Sequence, residues 1–307
     1  MVDVVVAIPT FRRPKGLARL LAALAALNTD ANVSVLVADN DCDGQQGFDL
    51  CARLRAETYR WPLESIVVAE RGIAQARNAL VDHILAHRPC DFVAMLDDDE
   101  WPEPGWLDGF LKVQRETGAE ALHGAILRDF ETPPGRWAGH CHGIAPLRDE
   151  SGPLPMIDST GNVLVRRACF EQLAKPCFDP EFALSGGEDR DFFERLRRQG
   201  RRFAWADEAV VHSWVPASRS RFGWILQRAY RTGNSDMRVF LKHPQRPAQY
   251  AGELVKIAAA FLVYLPLAIV PVRSRSVEAL CRLCRAAGKT AALFGHRYNE
   301  YATIHGG

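Results

Sequence analysis

The chain has 307 residues, with 38 Lys and Arg against 37 Asp and Glu, for a formal charge of +1. Hydrophobic residues make up 48% and charged residues 24%, ordinary globular values that exclude a disordered, collagenous or low-complexity protein. Balanced charge also argues against a dedicated nucleic-acid binder, and the length suits one large or two small domains with chain enough for a real core.

Residues 2–8 form a near-continuous apolar run, as expected of a strand covered on both faces. Pro9-Thr10-Phe11-Arg12-Arg13-Pro14 breaks it, and residues 15–27 are Ala/Leu-rich with helical periodicity. Further strands are predicted over 33–38, 65–69 and 92–96, with helices over 48–55 and 73–87. Strands alternating with helices in this way are the pattern of a doubly wound, Rossmann-like α/β domain. Ligands of such folds sit beyond the C-terminal ends of the strands. Those ends carry Pro9-Thr10, Asp39, Glu70-Arg71 and Asp97-Asp98-Asp99.

Past residue 99 the pattern loosens into a mixed arrangement. A helix is predicted over 106–117, strands over 121–129 and 161–166, a helix over 189–200 and a strand over 203–212. Residues 132–155 read as a long Pro/Gly-rich loop, and the chain from 218 onward as a separate helical appendage. Within it, residues 257–272 are sixteen apolar residues flanked by Lys256, Arg273 and Arg275. A spanning helix needs about 20, and Pro266 and Pro271 interrupt this one. Two readings stay open: contact with a membrane surface, basic flanks on anionic headgroups, or a buried core helix.

The eight Cys are scattered, and Met1-Val2-Asp3 runs into a strand without a basic n-region, so free thiols in a reducing cytosol are expected. Cys281/Cys284 and His140-Cys141-His142 lack the paired spacing of a structural zinc site.

Two constellations carry chemistry. Asp97-Asp98-Asp99 closes an apolar strand, and clustered carboxylates at a strand end suit Mg²⁺ or Mn²⁺ completed by substrate phosphates. Ser185-Gly186-Gly187-Glu188-Asp189-Arg190-Asp191 opens a helix with acidic residues, where a carboxylate is stabilised and can take a proton from a hydroxyl. An N-terminal cap would use the same residues. Between residues 190 and 238 there are eleven Arg, no Lys and five acidic residues, which reads as a solvated face or as a bias suited to bidentate contacts with phosphate or carboxylate.

The segments 4–11 (VVVAIPTF), 37–40 (VADN), 70–78 (ERGIAQARN), Asp97-Asp98-Asp99 and Gly187-Glu188-Asp189 occur in that order. Together they resemble the signature set of the family 2 glycosyltransferases with the GT-A fold, most of all the bacterial exopolysaccharide enzymes of the succinoglycan type. The likeness covers about the first 215 residues. It implies a GT-A domain over 1–215, with a nucleotide-sugar half to about residue 100 and an acceptor half to 215, followed by a helical region over 216–307. It also implies that Pro9, Thr10 and Asp39 hold uracil and ribose. Arg71, Arg77, Asp97 and Asp98 lie near the nucleotide, Asp99 on the metal, and Asp189 as base beside Glu188. His212 matches a position that in some relatives contacts metal or diphosphate. Trp224, Arg228 and Arg231 share one helix face, and Gln227 to Gly233 loosely resembles the helix that relatives place over the diphosphate. The departure from Gln-x-x-Arg-Trp implies single addition rather than polymerisation.

The resulting expectation is an inverting, metal-dependent transfer of a sugar from a nucleotide-diphosphate donor, a UDP-sugar, to a lipid-linked saccharide at the cytoplasmic membrane surface. Two rivals are a sugar nucleotidyltransferase, disfavoured because residues 9–14 contain no glycine, and a non-catalytic membrane-docked sugar or nucleotide binder, disfavoured by the intact acidic motifs.

Overall fold

The computed structural model describes residues 1–135, 144–269 and 273–298. Strand β1 (Asp3–Thr10) lies inside the sheet, and its two faces explain its unbroken apolar sequence. Val4, Val6 and Ile8 pack with Leu17, Leu20, Leu21 and Leu24 of α1 (Pro14–Ala25) and with Trp106 and Phe110 of α4 (Trp106–Thr117). Val5 and Ala7 turn the other way, to Leu80, Val81 and Ile84 of α3 (Ile73–His87) and an aromatic group of Phe170, Phe178, Phe192 and Phe193.

β2 (Asn32–Asp39), β3 (Leu63–Val67) and β4 (Phe92–Met95) join β1 in parallel, and α2 (Gln46–Ala56) completes this half. The remaining strands are β5 (Glu100–Pro102), β6 (Ala121–Phe130), β7 (Gly152–Leu154), β8 (Val163–Arg166) and β9 (Phe203–Val215). They extend the sheet in the order β3-β2-β1-β4-β8-β6-β9-β5, with β7 on β9. β8 is antiparallel to both β4 and β6, whereas β6 and β9 run parallel, so the sheet is mixed. The short α5 (Arg167–Glu171) and the acidic helix α6 (Glu188–Arg198) cover one face. All the expected strands and helices are present; β5 and β7, three residues each, are additions to the sequence reading. β7 and an isolated bridge from Leu147 to Ile126 organise part of the expected 132–155 loop. The cluster at residues 140–142 lies outside the described residues.

Buried Asn162 holds the middle of the sheet together. Its Oδ1 accepts from Trp106 Nε1 at 2.7 Å, and its Nδ2 lies 2.8 Å from the carbonyls of both Ala125 and Ala209. That bond set pins β6 to β9 where their register shifts between Gly124 and Ile126.

Three helices follow: α7 (Phe222–Lys242), α8 (Pro247–Ile269) and α9 (Arg273–Leu293). α7 and α9 cross at glycines: a Cβ on Gly233 would collide with the Arg285 carbonyl oxygen, and one on Gly288 with that of Tyr230. Ile225 and Val277 pack with Ile144 and Val215, joining this helical unit to the end of β9. Asp191 of α6, fully buried, receives Lys242 at 2.8 Å, His243 at 2.9 Å and Arg195 at 3.0 Å, tying α6 to the end of α7. α8 packs differently. Along its length only Ile257 is buried, so the core-helix reading of residues 257–272 is not what the described part of that segment shows.

Candidate active site

The C-terminal ends of β1 and β4, the N-terminal ends of α3 and α6, and the inner faces of β6, β9, α7 and α9 surround one cavity of about 880 Å³. Asp98 braces the first corner. Its Oδ2 accepts from Thr10 Oγ1 at 2.9 Å, and its Oδ1 lies 3.0 Å from Arg13 Nη1. Burial, reinforced by the charge of Asp99 and opposed by Arg13, pushes its carboxyl up to about 6. The same Arg13 nitrogen is 3.0 Å from Asp99 Oδ2, and Arg219 Nη1 reaches that oxygen at 3.3 Å.

Arg77 crosses from this corner to the opposite one. Its Nη2 donates to Asp97 Oδ1 at 3.1 Å, while Nη1 pairs with Glu188 Oε1. Arg77 is 5% exposed and Glu188 3%, so the pair sits where charges are weakly screened. Burial, and next the charge of Asp189, push the Glu188 carboxyl up to about 7. Burial likewise raises Asp189, against the pull of Arg77. Asp189 lines the cavity and takes the Arg190 amide on Oδ1 at 2.7 Å.

Local backbone geometry delivers these groups. Gly72 (φ +149°) opens α3, and its N–H donates to Asn40 Oδ1 at 2.8 Å. Asn40 in turn donates to the carbonyls of Val68 and Glu70, fixing the loop that presents Arg71. Gly187 (φ +107°) opens α6 in a conformation that side chains resist. Ser235 Oγ of α7 holds the preceding Gly186 carbonyl at 3.0 Å, so α7 positions the acidic turn directly.

Pro9, Thr10, Arg71, Arg77, Asp97, Asp98, Asp99, Glu188, Asp189, Arg228 and Arg231 all line the cavity. Two expected residues do not. Asp39 is 1% exposed, and its carboxylate is taken up by the amides of Asp41, Gly47 and Phe48 at 2.8–3.0 Å, bracing the start of α2; Asn40 lines the cavity in its place. His212 does not line the cavity, although Ser213, Trp214 and Val215 after it do. Its ring stacks on Trp101, with Nδ1 2.9 Å from Asp129 and Nε2 3.4 Å from Glu103.

Other cavity groups escaped the sequence reading. Arg13 and Arg219 flank Asp99, and Arg128 of β6 donates to Ser213 Oγ at 2.9 Å. Glu100, raised well above the usual carboxylate range by burial and then by Asp97, sits behind the triplet. Arg282 and Arg285 extend from α9, so the helices after 216 form part of the cavity wall. His123 stacks on Trp205 at the far side, its ring held neutral by burial, which lowers it to about 4.

Among the described residues, no group of three or more His, Cys, Asp or Glu side chains could hold an ion alone. The donor set at the triplet is nevertheless hard oxygen: Asp97 and Asp99 line the cavity with side chains 41% and 20% exposed. One or two carboxylates completed by phosphate oxygens suit Mg²⁺ or Mn²⁺, so the residues fit a divalent ion that arrives with a diphosphate.

The sequence pattern described as Glycosyl transferase family 2 matches residues 5–173. The chain belongs to the family 2 glycosyltransferases. It is 34% identical over 236 residues to the succinoglycan biosynthesis protein ExoM of Rhizobium meliloti (strain 1021), covering 75% of this chain and 72% of that protein. The pre-mycofactocin glycosyltransferase of Mycobacterium tuberculosis (strain CDC 1551 / Oshkosh) is 27% identical over 253 residues, 80% of this chain and 49% of the relative. Among solved structures, the Pyrobaculum calidifontis mannosyltransferase PcManGT, in complex with GDP-Man and Mn²⁺, superposes with a TM-score of 0.63 at 15% identity, covering 95% of this chain and 87% of that one. S. aureus TarS 1–349 in complex with UDP-GlcNAc gives 0.52 at 14% identity, with 97% and 93% covered. At such identities the structures speak for the fold, and they agree on a GT-A-like mixed sheet. As a glycosyltransferase, this chain has its acidic groups where the family's fold places its ligands, beyond the strand ends.

Proposed function

We propose that this glycosyltransferase moves a sugar, with inversion, from a nucleotide-diphosphate donor to a saccharide acceptor in bacterial polysaccharide assembly. A UDP-sugar is the donor, and the acceptor is lipid-linked and presented at the cytoplasmic face of the membrane. The observation that carries this reading is Arg77, which links Asp97 on the donor side to Glu188 beside Asp189 across one cavity. The likeness to a succinoglycan biosynthesis protein supports the acceptor class, and the UDP-GlcNAc complex among the fold neighbours supports the donor.

In this reading Pro9, Thr10 and Asn40 take the nucleoside end. Arg71 faces the diphosphate from the α3 side and Arg228 and Arg231 from α7, where fixed positive charge opposes the negative charge developing on the leaving group. Asp99, with Asp97 beside it, would hold Mg²⁺ or Mn²⁺, which supplies further neutralisation of the departing diphosphate when bound. Asp189 accepts the proton of the acceptor hydroxyl as that oxygen bonds to the anomeric carbon. The bond from that carbon to the diphosphate breaks on the opposite face, the electron pair leaving with the nucleotide. Arg77 keeps Glu188 from repelling the ionised Asp189 at full strength. The test is a panel of nucleotide sugars and saccharide acceptors assayed for acceptor-stimulated nucleotide release. Release from one nucleotide sugar, raised by an acceptor, supports the reading; release of pyrophosphate from a sugar phosphate and a nucleoside triphosphate would instead establish the nucleotidyltransferase rival.

A further inference from the structure

The active site does not account for the exposed surface of α8. An 18-residue window has a mean hydropathy of 1.8 and is 6% buried. The helix is apolar around most of its circumference, with Leu262 78% and Ile269 80% exposed and Val255, Val263 and Leu265 more than half exposed. A helix of that kind belongs in a core or in lipid. At 23 residues, or about 35 Å, it is long enough to cross a bilayer.

The packing of α8 forbids crossing. Near its start Glu253 pairs with Lys289 of α9, and near its end the Tyr264 ring lies 5.3 Å from the Arg282 guanidinium. α9 therefore runs beside α8 along most of its length, carrying Glu278, Arg282, Arg285 and Lys289. α9 cannot leave, because its backbone meets α7 at the Gly233 and Gly288 crossing, and α7 holds the acidic turn of the active site. A spanning α8 would draw those charges into hydrocarbon, where each is costly.

Charge points to the occupant of the exposed face. From residue 238 to residue 297 there are ten Lys and Arg and two Asp and Glu, a net of +8 in a chain whose total is +1. On α8 itself the Lys256 side chain is 75% exposed, and Arg246 is exposed just before the helix begins. We propose that α8 lies in the plane of an anionic bilayer, its apolar face in the acyl boundary and α9 on the aqueous side. This deepens the membrane part of the proposed function and rests on it. Because Arg282 touches Tyr264 of α8 and also lines the cavity, the docked helix sets the active site against the membrane surface.

The full chain would be floated with vesicles of phosphatidylcholine alone or mixed with phosphatidylglycerol, in parallel with size-exclusion chromatography and circular dichroism. Wild type is expected to float with the anionic vesicles, to be released by high salt, and to lose about tenfold or more in binding on Lys256→Glu. The triple change Leu262→Ser, Leu265→Ser, Ile269→Ser should abolish flotation while leaving the dichroism spectrum and donor hydrolysis in solution unchanged. Binding that ignores lipid charge and resists alkaline carbonate would overturn the in-plane placement in favour of insertion. Absence of flotation with a concentration-dependent dimer, lost in the triple variant, would overturn it in favour of contact between copies of this chain. Donor hydrolysis that persists in either case separates failure of this proposal from failure of the glycosyl-transfer reading.

Discussion

Replacing Asp189 with Asn removes the proposed proton acceptor and little else. Asp189 Oδ1 receives the Arg190 amide at 2.7 Å, a bond that the Asn carbonyl keeps, so folding stability should move by no more than about 1 kcal/mol. The lost charge also relieves the burial that raises this carboxyl, offsetting the weaker attraction to Arg77 and Arg231. Loss of a general base costs ~10²–10⁴-fold, which is roughly 3–5 kcal/mol in the barrier. The assay is acceptor-dependent sugar transfer, with donor affinity followed separately by titration of the nucleotide sugar. Asp189→Asn should bind donor as wild type does and transfer it at the reduced rate. Glu188→Gln should behave differently, losing stability, because it takes away the charge that Arg77 is buried against, a type of change that costs up to about 3–5 kcal/mol. Transfer by Asp189→Asn within a few-fold of wild type would refute the assignment and move the base to Glu188.

Asp99→Ala should remove both turnover and the response of donor binding to Mg²⁺ or Mn²⁺, measured by calorimetric titration; an unchanged metal response would take the triplet out of the reaction. A base must be ionised to act, so kcat/KM should fall as pH drops through a raised carboxyl pKa. With burial raising Asp189, the acid limb should lie above the ordinary carboxylate range, and a limb at about 4, where carboxylates ordinarily titrate, would contradict the assignment. Asn162→Ala should strand the Trp106 indole N–H and two carbonyls, lowering stability by about 3 kcal/mol or more in chemical denaturation; a loss below about 1 kcal/mol would mean that the network is dispensable.

The donor half was legible because its strands are covered on both faces, which forces continuous apolar runs that end abruptly at polar loops. Val4 through Ile8 and Phe92 through Leu96 signal in this way, and the motifs follow at their ends. β5 was invisible because three residues containing Pro102 carry no periodicity; an edge position opposite β9 tolerates the proline. Asp39 ends its strand as expected, and that its carboxylate is taken by the amides of Gly47 and Phe48 depends on the seating of α2, which spacing alone does not carry. For His212 the deciding facts are its partners, the Trp101 ring and the Asp129 carboxylate, which lie far from it in sequence and carry no spacing signal. Arg282 and Arg285 could not be assigned from spacing alone, since the close approach of α9 to α7 depends on Gly233 and Gly288, which are 55 residues apart in the sequence. Paired glycines on two predicted helices were the only available signal for it.

Proton NMR of the first product bond tests the central claim most directly, because the proposed attack from the Asp189 side, opposite the leaving diphosphate, has a stereochemical consequence. Once the donor panel identifies an α-linked nucleotide sugar, the anomeric coupling of the new glycosidic bond can be read. A β-linked product is predicted, with the same configuration at every acceptor that is used. An α-linked product would mean retention, and would contradict both the single displacement and the role of Asp189 as its base.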